Sequence, residues 1–181
     1  RWGSSYVNVV YSELSRNGLA TNDDADNSQN GAFIYNVYHV DIFQSKADYN
    51  KGDGFKINDV YYKVLVDESY ASYNEADGLD IRRVADETRV KATKAYKNYL
   101  VGLRGDKIDN MYIENYSEFN ENGQTSHQVS HYNYAGVYIT NTKYLYIEYT
   151  EADDNKGEGF ALSKNGYIDI TYSEARRNGD D

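Results

Sequence analysis

The chain has no cysteine and no proline, one Met and one Trp, and no run of 18 apolar residues. Without cysteine no disulfide staples the fold, and thiolate metal sites are excluded. Without a long apolar run no helical membrane span is expected. Basic residues are also in short supply: 19 Lys and Arg stand against 29 Asp and Glu, giving a net charge of −10 and a pI near 4.7. That balance argues against nucleic acid as a partner, since such proteins present a basic field. No zinc spacing, phosphate loop or nucleophile elbow is present, so no cofactor follows from the motifs.

What is abundant is tyrosine, 21 residues in 181, and a regular asparagine. Asn17, Asn50, Asn74, Asn98, Asn122, Asn155 and Asn178 follow one another at gaps of 33, 24, 24, 24, 33 and 23 residues. Each closes the same phrase, Ser/Thr-x-(Ala/Leu/Phe)-x-x-Asn, as in Ser69-Tyr-Ala-Ser-Tyr-Asn74 and Thr93-Lys-Ala-Tyr-Lys-Asn98. A repeat of this length is the signature of a solenoid.

Two alternating runs fill most intervals. One opens on glycine: Gly54-Phe-Lys-Ile57, Gly78-Leu-Asp-Ile81, Gly102-Leu-Arg-Gly105, Gly136-Val-Tyr-Ile139. The other is Val7-Asn-Val9, Val40-Asp-Ile42, Val64-Leu-Val66, Leu145-Tyr-Ile147. Period-two alternation means a strand with one buried face, and runs this short between Asn, Gly and Asp are sides of a coil. The Ser/Thr phrase supplies a third side. The expected fold is therefore all-β, a parallel β-helix of about seven coils over residues 1–181. Stacked coils lie about 4.8 Å apart, so each Asn can pass an amide hydrogen bond to the next. It also tolerates the left-handed backbone of a sharp corner.

Departures from the repeat are informative. Leu19–Asn30 and Gln124–Ala135 are insertions at the same corner, and insertions on one corner commonly rim a working face. In coil four the charged stretch Arg82–Lys91 predicts a wider turn or bulge, with Val90 and Ala92 inward. In coil five Met111 and Ile113 mark a one-residue slip. Asp153-Asp154 and Asp180-Asp181 read as solvated turns, and His39 as a surface residue. The short first coil and the uncapped ends suggest end-to-end self-association, or capping by the rest of a longer chain.

Outward residues of the Gly-led strands stack into two columns: Phe33, Lys56, Asp80, Arg104, Tyr138, Ala161 and Tyr35, Asn58, Arg82, Asp106, Thr140, Ser163. Their charged centre, beside the loop holding His127, His131, Tyr132 and Tyr134, is the candidate site. Arg and Lys can neutralise a uronate bidentately, and a Tyr or His can move the proton beside it. Lys56, Arg104, Tyr138 and His131 are thus candidate catalytic residues. Asp80, Arg82, Asp106, His127, Tyr132 and Tyr134 are candidate substrate contacts. Alternating charges on neighbouring strands also stabilise a sheet with no ligand, so both readings stand. For metal, only Asp24-Ala-Asp26-Asn-Ser28 suggests calcium, and it lacks the glycine and closing glutamate of a calcium loop.

The phrase Ala71-Ser-Tyr-Asn74-Glu-Ala-Asp-Gly78-Leu-Asp-Ile81, echoed at Ala47–Ile57, resembles the right-handed parallel β-helix repeat family. It is most similar to coils of mannuronan C5-epimerases and related polysaccharide lyases. The resemblance implies a right-handed coil, in line with the usual crossover preference, and an extracellular or cell-surface protein that binds an acidic polysaccharide. In an enzyme of that kind the sugar chain is also cleaved or epimerised. A chain with no proline lacks the Asp-Pro-His motif of the epimerases. A structural solenoid, a stalk, tail or filament segment, is the alternative.

Overall fold

A computed structural model describes residues 5–18, 29–124 and 134–179. Eleven strands follow in order: β1 (Tyr6–Val10), β2 (Ala32–Phe43), β3 (Phe55–Asp67), β4 (Leu79–Lys91), β5 (Leu103–Glu114), β6 (Ser117–Glu118), β7 (Val137–Thr140), β8 (Tyr144–Glu148), β9 (Thr150–Glu151), β10 (Phe160–Ser163) and β11 (Tyr167–Thr171). Every pairing is parallel, and β2 to β5 stack in sequence order. Because each coil repeats the same in–out pattern, pairing keeps one register along most of each strand. It shifts by one residue only between Val37 and His39 of β2 and between Val84 and Glu87 of β4. The fold is a parallel β-solenoid of about five turns rather than seven. The seven asparagines mark corners, and among the described residues the coil that holds the first has no Gly-led strand.

Each coil is a triangle whose corners are left-handed residues. Asn36, Asp59, Arg83, Lys107, Asn141 and Lys164 (φ 54–57°) divide the Gly-led run from the second run. Gln44, Glu68, Ala92, Tyr149 and Tyr172 (φ 44–49°) stand immediately before the Ser or Thr of the phrase. Tyr49, Tyr73, Lys97, Glu121 and Asp154 (φ 55–59°) stand immediately before the ladder asparagine. The left-handed residue is thus the one ahead of the asparagine, not the asparagine, which corrects the expectation from sequence. The reason is geometric: the residue that turns points outward, and the next points its amide along the stack.

The ladder runs from Asn17 to Asn178, each Nδ2 reaching the next Oδ1 at 2.9–3.0 Å. A second relay passes from Ser12 to Ser45, Ser69, Thr93 and Ser117, each backbone N–H donating to the next hydroxyl. Two others run the opposite way. Asp77 N–H donates back to Asp53 and Val101 N–H back to Asp77, while Ser72 N–H donates back to Asp48 and Arg176 N–H back to Asp153. Asp153 is therefore buried in a relay and not a solvated turn; only Asp154 is an exposed corner. Asp180 and Asp181 fall outside the described residues.

The core is a stack of aliphatic layers, Ile57, Ile81 and Ile139 on one side and Val66, Val90, Ile113 and Ile147 on another, all 0–1% exposed. Buried Ala47, Ala71, Ala95 and Ala152 fill the third corner. In β4 the inward pair is Thr88 and Val90, both fully buried, with Ala92 at the corner. The Val90/Ala92 pairing is thereby corrected, and the alternation of β4 continues through its charges because those charges all point out. The bulge is present. Val84 pairs with Ile108 but Glu87 with Asn110, so β4 holds one residue more than β5 here. The chain recovers it at Asn115 and Tyr116, two successive left-handed residues (φ 58° and 61°). Met111 and Ile113 consequently occupy the inward places opposite Thr88 and Val90, as the slip required.

Candidate functional site

The Gly-led face is assembled as the alternation predicts. Strand pairing places Phe33, Lys56, Asp80, Arg104, Tyr138 and Ala161 in one row, and Tyr35, Asn58, Arg82, Asp106, Thr140 and Ser163 in the next. The glycines opening these strands are required by crowding. A Cβ on Gly54 would lie 2.6 Å from the Gly78 carbonyl oxygen and 2.9 Å from the Asn74 amide.

Just ahead of those glycines stand Asp53 and Asp77, 5% and 3% exposed. With Asp80 they bring three carboxylates within 4.8 Å of one another. In the sequence Asp53 and Asp77 read only as separators between runs, so the triad is missed; the signal was the same pair, Asp-Gly, in adjacent coils at one offset. Three cations answer it. Arg104 donates Nε to Asp77 at 2.5 Å and Nη2 at 3.2 Å, Lys56 lies 3.1 Å from Asp53, and Arg82 donates to Asp80 at 2.5 Å. The cluster holds the only candidate metal donors of this kind among the described residues. Each carboxylate is nevertheless matched by one of the protein's own cations.

Burial sets the protonation. Asp80, 1% exposed, is pushed up to about 6 by loss of solvent and by its neighbours Asp77 and Asp53, with the Arg82 bond pulling against them. Its Oδ2 is buried with no hydrogen-bond partner, which costs free energy while the group is charged and little once it is protonated. Burial and Asp77 also raise Asp53. Arg104 loses solvation, yet its bonds to Asp77 hold its pKa above the ordinary value.

The sequence-predicted residues therefore divide. Arg104 sits inward in the cluster and under the ring of Tyr138, 5.4 Å from its centroid. Asp80 is buried rather than presented, whereas Arg82 keeps 37% of its side chain exposed and Lys56 27%. Asp106 accepts a bond from Asn141 at 2.8 Å. Tyr134 is 6% exposed at the inserted corner, with the Lys156 ammonium over its ring. His127, His131 and Tyr132 lie outside the described residues, as does the calcium candidate Asp24–Ser28. His39, half-buried on the second side, stacks on Tyr6 and pairs with Asp41 at 2.8 Å.

One feature of this face is aromatic. Phe33 and Tyr35 lie at the end of the two rows with ring centroids 6.1 Å apart and planes 17° apart, 40% and 55% exposed. Comparison with protein families, characterised proteins and solved structures finds no match. Among the described residues no helix is long and apolar enough to cross a membrane.

Proposed function

We propose that this chain is an extracellular glycan-binding solenoid that lays an extended, uronate-bearing polysaccharide along its Gly-led face. The observation that carries the reading is the exposed Phe33–Tyr35 pair, which adjoins Lys56 and Asn58 on the neighbouring strand. An aromatic face takes the apolar side of a sugar ring, and the part-exposed Lys56 and Arg82 supply cations for its carboxylate. Arg104 contributes indirectly, by neutralising Asp77 beneath that surface. Binding is favoured over turnover, because Asp80 and Arg104 are committed to the buried cluster.

The test is titration with uronate oligosaccharides and neutral oligosaccharides of the same length. Phe33→Ala/Tyr35→Ala is expected to weaken binding to both about tenfold or more, and Lys56→Ala/Arg82→Ala to weaken uronate binding selectively. Unchanged affinity in both variants, or no binding to any glycan, would sink the proposal.

The structural alternative is supported by the continuous asparagine ladder and by the internal pairing of the charged face. Under that reading the chain is a stalk, tail or filament segment that self-associates end to end. Light scattering and negative-stain imaging over a concentration series distinguish the two: uniform fibres favour assembly, and a monomer that binds glycan favours the first.

A further inference from the structure

The second long side of the coil carries a different chemistry. Pairing aligns Arg89, Tyr112, Tyr146 and Asp169 in one outward row, and Lys91, Glu114, Glu148 and Thr171 in the next. A groove of about 350 Å³ crosses these rows.

One half of this groove displays a completed arrangement. The Arg89 guanidinium lies 4.2 Å from the centroid of the Tyr112 ring, with Glu87 at 3.0 Å and Glu114 at 3.1 Å. The other half repeats the receiving groups without the cation. Tyr146 stacks parallel on Tyr112 at 5.0 Å and 6°. It also meets Tyr167, tilted at 46° with centroids 5.7 Å apart, so a ligand on Tyr146 shares the ring with Tyr167. Glu148 stands beyond Glu114, and Asp169 beyond Tyr146. Among the described residues, neither Glu148 nor Asp169 has a side-chain hydrogen bond or ion pair. Carboxylates on adjacent strands repel; Arg89 relieves Glu114, and among the described residues no cation pairs with Glu148.

We infer that this groove is a binding site for a guanidinium group, an arginine side chain of a basic peptide segment, laid on Tyr146 between Glu148 and Asp169. Guanidinium is chosen over ammonium because it is planar, stacks on an aromatic ring and bonds two acceptors at once, as Arg89 does next door. The net charge of −10 steers such a partner toward the surface. The site lies on a different side from the Gly-led face and is independent of the glycan reading.

The experiment is calorimetric titration of the whole chain with a short arginine-containing peptide, its lysine counterpart and its citrulline counterpart. Citrulline keeps the shape and removes the charge. Saturable arginine binding is expected, several-fold weaker for lysine and about tenfold or more weaker for citrulline. Glu148→Gln/Asp169→Asn should cost about tenfold, and Tyr146→Leu a similar loss, with circular dichroism confirming the fold. Glu75→Gln/Asp109→Asn removes the same charge elsewhere and should leave affinity unchanged. Absent arginine binding, equal lysine or citrulline binding, or an equal loss in the charge-matched control would each overturn the assignment.

Discussion

Asn74 gives two hydrogen bonds to a single oxygen, Oδ1 of Asn98: one from its backbone N–H at 3.0 Å and one from its side-chain amide at 3.0 Å. Asn98 in turn donates to the Ala71 carbonyl at 3.0 Å and to Asn122. It is fully buried. Asn98→Ala therefore strands two donors and a carbonyl at once. At about 1–3 kcal/mol for each buried group left unpaired, the loss should be at least about 3 kcal/mol. Asn17 donates to Asn50 and Leu14 and is half-buried, so Asn17→Ala should cost well under half as much. Urea denaturation midpoints of the two variants check the contrast.

Left-handed corners built from ordinary residues leave room for improvement. Lys107 has φ 55° and is exposed. Asparagine accepts that backbone more readily than lysine, so Lys107→Asn should gain about 0.5 kcal/mol. A β-branched residue there is strained, and Lys107→Val should lose about 1–2 kcal/mol. Thermal melts of both variants decide the matter, and a gain from valine would refute the corner argument.

The Asp77–Arg104 pair is buried on both sides, 4% and 15% exposed by side chain. Arg104→Ala leaves a carboxylate without its partner and should cost on the order of 3–5 kcal/mol. Asp77→Asn/Arg104→Ala removes the orphaned charge and should recover a substantial part. A double-mutant cycle showing simple additivity would count against a coupled pair.

Asp80 gives stability a definite pH sign. Its folded pKa of about 6 exceeds the ordinary 3.8, so the folded chain binds the proton more tightly. Stability from this group is full below about pH 4 and is lost as pH rises through about 6, on the order of 2–3 kcal/mol in all. Asp59 and Glu87 are lowered by Arg83 and Arg89 respectively and act in the opposite sense. The check is thus a difference: Asp80→Asn should become more stable than wild type above pH 6, and the advantage should shrink toward pH 4.

Much of this architecture is legible in the chain because the ladder demands one residue type at one place. Asparagine carries an amide that both donates and accepts on a side chain short enough to stay at the corner, so Asn50, Asn74, Asn98 and Asn122 announce themselves. The corners do not, since Tyr73, Lys97 and Glu121 adopt the same backbone and share no chemistry that would mark them. Thr88 was hidden likewise: a hydroxyl residue among charges gives no apolar signal, although it fills an inward place. The candidate face was readable as two rows because register follows from the spacing. Depth was not: Arg104 lies lower than alternation alone implies because Asp77 draws it down, and Asp80 is buried beside it with Arg82 as its partner.

The opposed relays carry a consequence for how such a chain can lengthen or shorten. Asparagine and serine relays pass donors toward later coils, while the aspartate relays pass them toward earlier ones. The coils thus present the same two polarities above and below, and at the ladder corner a neighbour meets an asparagine whichever coil it stacks on. Excising residues 74–97 would join Tyr73 to Asn98 and leave the asparagine ladder continuous, and single-residue differences between coils, such as β2 against β3, are absorbed within the strands without breaking it. Height is quantised in whole coils, and both long insertions fall in the sequence just after Gly18 and Gly123, at the same corner.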